Sequence, residues 1–129
     1  MDSKYMLGID ELDSQHEAIE KLCLALEEAS DSEAHWCDLL EQLYEKLRFH
    51  FYAEESIMQV FSYPEAQDHK RSHLEILKAV ESLKDKAVTD ADIEKLRDQP
   101  TQLFHQQVLS QDMRFASFLR RNKDRLGIQ

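Results

Sequence analysis

Leu43-Tyr44-Glu45-Lys46-Leu47-Arg48-Phe49-His50-Phe51-Tyr52-Ala53-Glu54-Glu55-Ser56-Ile57, residues 43–57, decide the fold. Leu43, Leu47, His50, Glu54 and Ile57 follow one another in steps of four, three, four and three, which is the spacing of a single helix face. An imidazole and a carboxylate thus stand inside an apolar stripe. The stripe runs back to Leu39 and on to Phe61, and predicts a helix over 35–61. Upstream, Leu12, Ile19, Cys23 and Leu26 share a register with His16 and predict a helix over 13–30. Ser14-Gln15-His16-Glu17 has capping-box spacing, with Asp10 or Asp13 as equally good starts. Downstream, Ser62-Tyr63-Pro64 opens a third helix, 64–84, with proline suited to its first turn. Its face carries His69, His73, Ile76 or Leu77, and Val80. A fourth helix, 90–121, starts near Thr89-Asp90, and Pro100 must kink or restart it.

Four amphipathic helices with short connections predict an all-α, up-down-up-down four-helix bundle. The chain has 129 residues, enough for one domain, 1–129. Two glycines and two prolines are too few for the turns of an all-β fold. Sixteen Lys and Arg against 26 Asp and Glu give a net charge of −10. That charge repels phosphate backbones and anionic lipid, so neither nucleic acid nor a membrane is an expected partner. No run approaches the ~18 apolar residues of a membrane span, and Met1 to Tyr5 does not read as a signal peptide. Cys23 and Cys37 lack CxxC spacing and are expected to be reduced, which points to the cytoplasm. Arg120, Arg121, Lys123 and Arg125 gather at the end of the last helix, where cations favour the helix dipole.

The informative feature is the set of polar residues on stripes that should face inward. His16, His50, His69, His73 and Glu54 come from three helices, and burying such groups without partners costs on the order of 1–3 kcal/mol each. A cation satisfies them together. His50-x-x-x-Glu54 and His69-x-x-x-His73 are i,i+4 pairs, so each can aim at one point near the bundle axis. Imidazole with carboxylate suits iron, zinc or manganese, and two pairs plus His16 exceed the ligands of one ion. A two-metal site follows. No histidine has Glu three residues before it, which sets the chain apart from ferritin-like bundles. The set is rich in histidine and poor in carboxylate, and this favours reversible dioxygen chemistry over aggressive oxidation.

Asp13-Ser14-Gln15-His16, His50-Phe51-Tyr52-Ala53-Glu54-Glu55 with Met58, and His69-Lys70-Arg71-Ser72-His73 resemble the hemerythrins, specifically bacteriohemerythrin domains, over residues 6 to about 120. The resemblance implies two iron ions bridged by an oxo or hydroxo group, with dioxygen as ligand. It implies His16 and His50 on one iron and His69 and His73 on the other. Glu54 and an Asp of the fourth helix would bridge them. Asp112-Met113-Arg114-Phe115 matches the surroundings of that bridging Asp, which puts Gln107 in the place of the family's fifth histidine. Such a loss implies easier access for exogenous ligands and faster autoxidation. A rival register keeps His105 as ligand, since it lies seven residues from Asp112 and nearly on the same face.

The expected function is therefore a dioxygen- or redox-sensing domain, not an enzyme, signalling to an attached or partner output module such as a diguanylate cyclase. The ending Leu126-Gly127-Ile128-Gln129, just past the fourth helix, would suit a domain cut from a longer protein. A stand-alone oxygen carrier or scavenger is the alternative, and a di-iron peroxidase or nitric-oxide-handling enzyme the second. Dioxygen or small anions are the expected ligands. Glu55 is expected to be solvated, about 100° from Glu54 around the helix. Phe49, Phe51, Tyr52, Phe61, Phe104 and Phe115 are expected to pack the core.

Overall fold

The four apolar stripes close on one another as helices in the computed structural model, which describes residues 8–29, 33–87 and 89–122. The helices are α1 (Asp10–Glu28), α2 (Glu33–Val60), α3 (Ala66–Lys86), α4 (Asp90–Leu96), α5 (Gln99–Leu103) and α6 (Leu109–Arg121). A π-helical turn, Phe104–Val108, joins α5 to α6. From α4 to α6 only Arg97 and Asp98 leave the helix, so these pieces form one interrupted fourth rod of an up-down-up-down bundle. No strand occurs among the described residues.

Helix boundaries follow local chemistry. Gly8 turns the chain at φ +85°, and its N–H donates to the Asp13 carboxylate at 3.1 Å, so α1 starts at Asp10 and not at the Ser14 capping box. The end of α2 is a Schellman turn: the Ser62 N–H reaches the Gln59 carbonyl and the Tyr63 N–H the Met58 carbonyl. Ser62 takes φ +52° there, a position usually given to glycine. Pro64 then occupies the second position of a turn closed by the Ala66 N–H on the Tyr63 carbonyl, so α3 begins two residues later than the proline suggested. Thr89 and Asp92 cap α4 reciprocally, as a start at Thr89 requires. The break at Arg97–Asp98 restarts the rod with Pro100 in the first turn of α5. The Arg97 guanidinium donates to the Ala29 carbonyl at 2.8 Å and the Glu27 carbonyl at 3.3 Å, satisfying the open end of α1. Trp36 adds a second tie, from its indole N–H to the Leu26 carbonyl at 3.1 Å.

The core has two main apolar clusters. The larger includes Ile19, Cys23, Leu26, Trp36, Leu40, Leu43, Leu47, Phe51, Ile76, Val80, Phe104 and Leu109. The smaller consists of Met58, Tyr63, Phe115, Phe118 and Leu119. On α2, α3 and α6 the polar stripe residues fall between a member of one cluster and a member of the other: His50 and Glu54 before Met58, His69 and His73 between Tyr63 and Ile76, Asp112 between Leu109 and Phe115. A polar layer therefore crosses the bundle between two apolar plugs. Phe49 and Tyr52 depart from expectation, being 61% and 75% exposed, because they stand on the side of α2 opposite His50 and Glu54. Phe51, Phe104 and Phe115 are buried and Phe61 half-buried. Arg120 and Arg121 lie exposed in the last turn of α6, and Lys123 and Arg125 fall outside the described residues.

Candidate metal centre

Six polar side chains meet in the layer between the plugs. His16 comes from α1, His50 and Glu54 from α2, His69 and His73 from α3, and Asp112 from α6. All are buried, and His69 is the most accessible at 6%. Their ligand atoms form two groups that could each hold a metal ion: His16, His50, Glu54 and Asp112, and Glu54, His69, His73 and Asp112.

The two carboxylates divide their oxygens between the groups. Asp112 Oδ2 lies 2.7 Å from both His16 Nε2 and His50 Nε2, whereas Oδ1 lies 3.2 Å from His69 Nε2. Glu54 Oε2 faces His50 Nε2 at 3.6 Å, while Oε1 faces His69 Nε2 at 2.6 Å and His73 Nε2 at 3.3 Å. Each carboxylate thus turns one oxygen toward each imidazole pair, as a bridge between two cations would. The 2.6 Å approach of His69 to Glu54 is not a hydrogen bond: both Glu54 oxygens and His73 Nε2 are buried without a hydrogen-bonding partner among the described residues. Atoms that come close without aligning on one another are aimed at a third point. The donor set and its orphaned atoms fit metal ions well.

The charges agree. Burial pushes the His73 imidazole down to about 3, helped by the neighbouring His69, so this ring stays neutral with a lone pair to give. Burial alone would raise Asp112, but hydrogen bonds from His16, His50 and His69 outweigh it and hold the carboxyl well below its ordinary range. Glu54 goes the other way. Burial, and then the negative charge of Asp112, raise it well above the ordinary range. A cation between the two carboxylates removes that conflict.

Aromatic rings seal the layer. Phe51 stacks on His73 with centroids 3.8 Å apart and planes 6° off parallel, and Phe104 meets His16 edge-on at 5.8 Å. A cavity of about 120 Å³ lies beside His69, lined also by Tyr63, Glu65, Asp68, Gln111 and Arg114.

Neither candidate for a fifth imidazole position reaches the centre. Gln107 is exposed and lines a surface groove with Ala79, Ser82 and Lys86. His105 pairs with Glu20 at 2.7 Å, near the outside of α1. The π turn explains both. Its extra residue brings Phe104, eight residues from Asp112, onto the inner face where His105 would stand in a regular helix. Between Gln107 and Asp112 the extra residue is largely already spent, and five α-helical steps of about 100° leave the two on different faces.

Two neighbours of the cluster escape the sequence reading. His50 Nδ1 donates to Gln15 Oε1 at 2.8 Å, and His73 Nδ1 to Glu55 Oε2 at 2.7 Å. Glu55, expected to be solvated, has its side chain only 27% exposed. The available signal was adjacency: each sits one residue from a stripe histidine or carboxylate, at the border of the buried face.

The family profile Hemerythrin, described as "Hemerythrin HHE cation binding domain", matches residues 7–119. The chain belongs to that hemerythrin family. No curated protein and no solved structure matches it. Membership agrees with the helical bundle and with a His, Glu and Asp cluster of cation-binding type. No helix among the described residues is long and apolar enough to cross a membrane.

Proposed function

We propose that this hemerythrin domain binds dioxygen at a non-haem di-iron centre and serves as an oxygen or redox sensor in the cytoplasm. In this reading His16 and His50 hold one iron, His69 and His73 the other, and Glu54 and Asp112 bridge them. The observation that carries it is the division of carboxylate oxygens: one of each carboxylate faces each imidazole pair. Iron, when bound, supplies the electrons for reversible dioxygen binding. The chain supplies a neutral His73 imidazole, an ionised Asp112, and Phe51 and Phe104 as walls against water.

Sensing is favoured over storage by the ligand count. Among the described residues each half offers two imidazoles and two shared carboxylates, and neither His105 nor Gln107 adds a donor. An under-supplied centre admits small anions and changes oxidation state readily, which suits a switch that reports to an attached or partner output module, such as a diguanylate cyclase. The test is iron analysis with the optical spectrum and lifetime of the oxygenated protein. Two irons per chain and an oxygenated form that decays within seconds to minutes are expected. Survival for hours would instead indicate a carrier, and sustained turnover of peroxide an enzyme. Failure to take up iron would remove the reading altogether.

A further inference from the structure

Burial, geometry and hydrogen bonding around the six residues are not symmetric. His50 and His73 each turn Nε2 inward and Nδ1 outward, and in both the outward nitrogen meets an acceptor. An acceptor at Nδ1 holds a proton there, which lets Nε2, facing Asp112 in His50 and Glu54 in His73, give its lone pair to a cation. The acceptors differ in kind. Gln15 offers a neutral amide oxygen to His50, and its amide nitrogen is held toward Glu11 Oε1 at 3.3 Å, which fixes which end faces the ring. Glu55 offers a carboxylate to His73 at 2.7 Å. His16 Nδ1 has no hydrogen-bonding partner among the described residues. A carboxylate behind an imidazole draws its proton outward and makes the inner nitrogen a stronger electron donor than an amide does.

Resting on the di-iron reading above, we propose that Glu55 and Gln15 are positioning residues that make the two metal sites unequal. Through His73, Glu55 makes the His69–His73 ion the more tightly held and the more easily oxidised. Gln15 orients His50 without that electronic push and keeps the His16–His50 ion the weaker-held one.

The experiment loads metal-stripped protein with Co²⁺, a probe that needs no dioxygen, and measures the midpoint potential of the iron-loaded protein. Native protein should take two Co²⁺ ions of unequal affinity. Glu55→Gln should weaken the tighter ion by roughly ten- to a hundredfold and raise the midpoint potential. Gln15→Glu should do the reverse at the other site, narrowing the difference in affinity and lowering the potential. Helical circular dichroism establishes that each variant folds, and if Glu55→Gln does not fold, Gln15→Glu decides alone. Two ions in the native protein with affinities and potential unmoved by the substitutions overturn this inference and leave the di-iron reading standing. Fewer than two ions in the native protein overturn that reading, and this inference with it.

Discussion

Ser62 is the residue whose conformation is least natural to its side chain. At φ +52° it fills the left-handed position of the Schellman turn, where a Cβ is crowded and glycine is not. Ser62→Gly should stabilise the protein by about 0.5–1 kcal/mol, the relief of strain outweighing the extra freedom of the unfolded chain. Denaturant titration of metal-free protein reads this directly, and a lower midpoint would contradict it. Tyr63 should keep its place, because the following contacts with Phe115 and Phe118, at ring separations of 4.9 and 5.0 Å, do not involve the Ser62 side chain.

The interruption of the fourth rod is the element that positions Asp112. Deleting Gln106 should convert the π turn to α-helix and leave Phe104 seven regular steps before Asp112, about 20° apart and still on one face. Both side chains then keep the inner face, so the deletion should leave Co²⁺ affinity close to native and most helical signal in place. A large loss of binding would show that the turn does more than absorb one extra residue. This element also marks the limit of what the sequence discloses. Strict three-and-four spacing on α1, α2 and α3 made their inward histidines and Glu54 legible, because a regular helix converts spacing into direction. Asp112 was found from the residues that follow it. Counting backward failed at Gln107 and His105, since a π turn has no propensity signal and breaks the 100° rule within one turn. Glu55 and Gln15 were invisible for a related reason: a residue one step off a stripe is placed in or out by tertiary packing, and the same ambiguity sent Phe49 and Tyr52 outward.

For the molecule as a whole, acid should expose the conflict among its buried charges. His73 takes a proton near 6.5 when unfolded and only near 3 when folded, so the unfolded chain binds more protons between these values and stability rises with pH there. Its contribution is complete above about 6.5 and is lost as pH falls toward 3. Glu54, raised by burial and by Asp112, contributes stability that is complete below about 4.5 and fades as pH rises. The two oppose each other between about 4.5 and 6.5. Below that range only losses remain, from His73 and then from Asp112, whose depressed carboxyl must be protonated against three hydrogen bonds. Metal-stripped protein should therefore lose melting temperature most steeply below about pH 4.5, and iron should raise the melting temperature at neutral pH by binding the folded state alone.

Among the described residues the two apolar plugs differ in size, and local opening should follow the thinner one. Met58, Tyr63, Phe115, Phe118 and Leu119, with Leu12 and Ala116 beside them, are the described residues of a cap smaller than the packing around Trp36 and Leu47 on the other side. Local opening costs least where the fewest apolar groups must be wetted. Deuterium should enter the amides around the α2–α3 turn well before those of the Trp36–Leu47 stretch. That same end carries His69 and its neighbouring cavity, so its opening would bring solvent to the polar layer while the deeper half of the molecule stays shut.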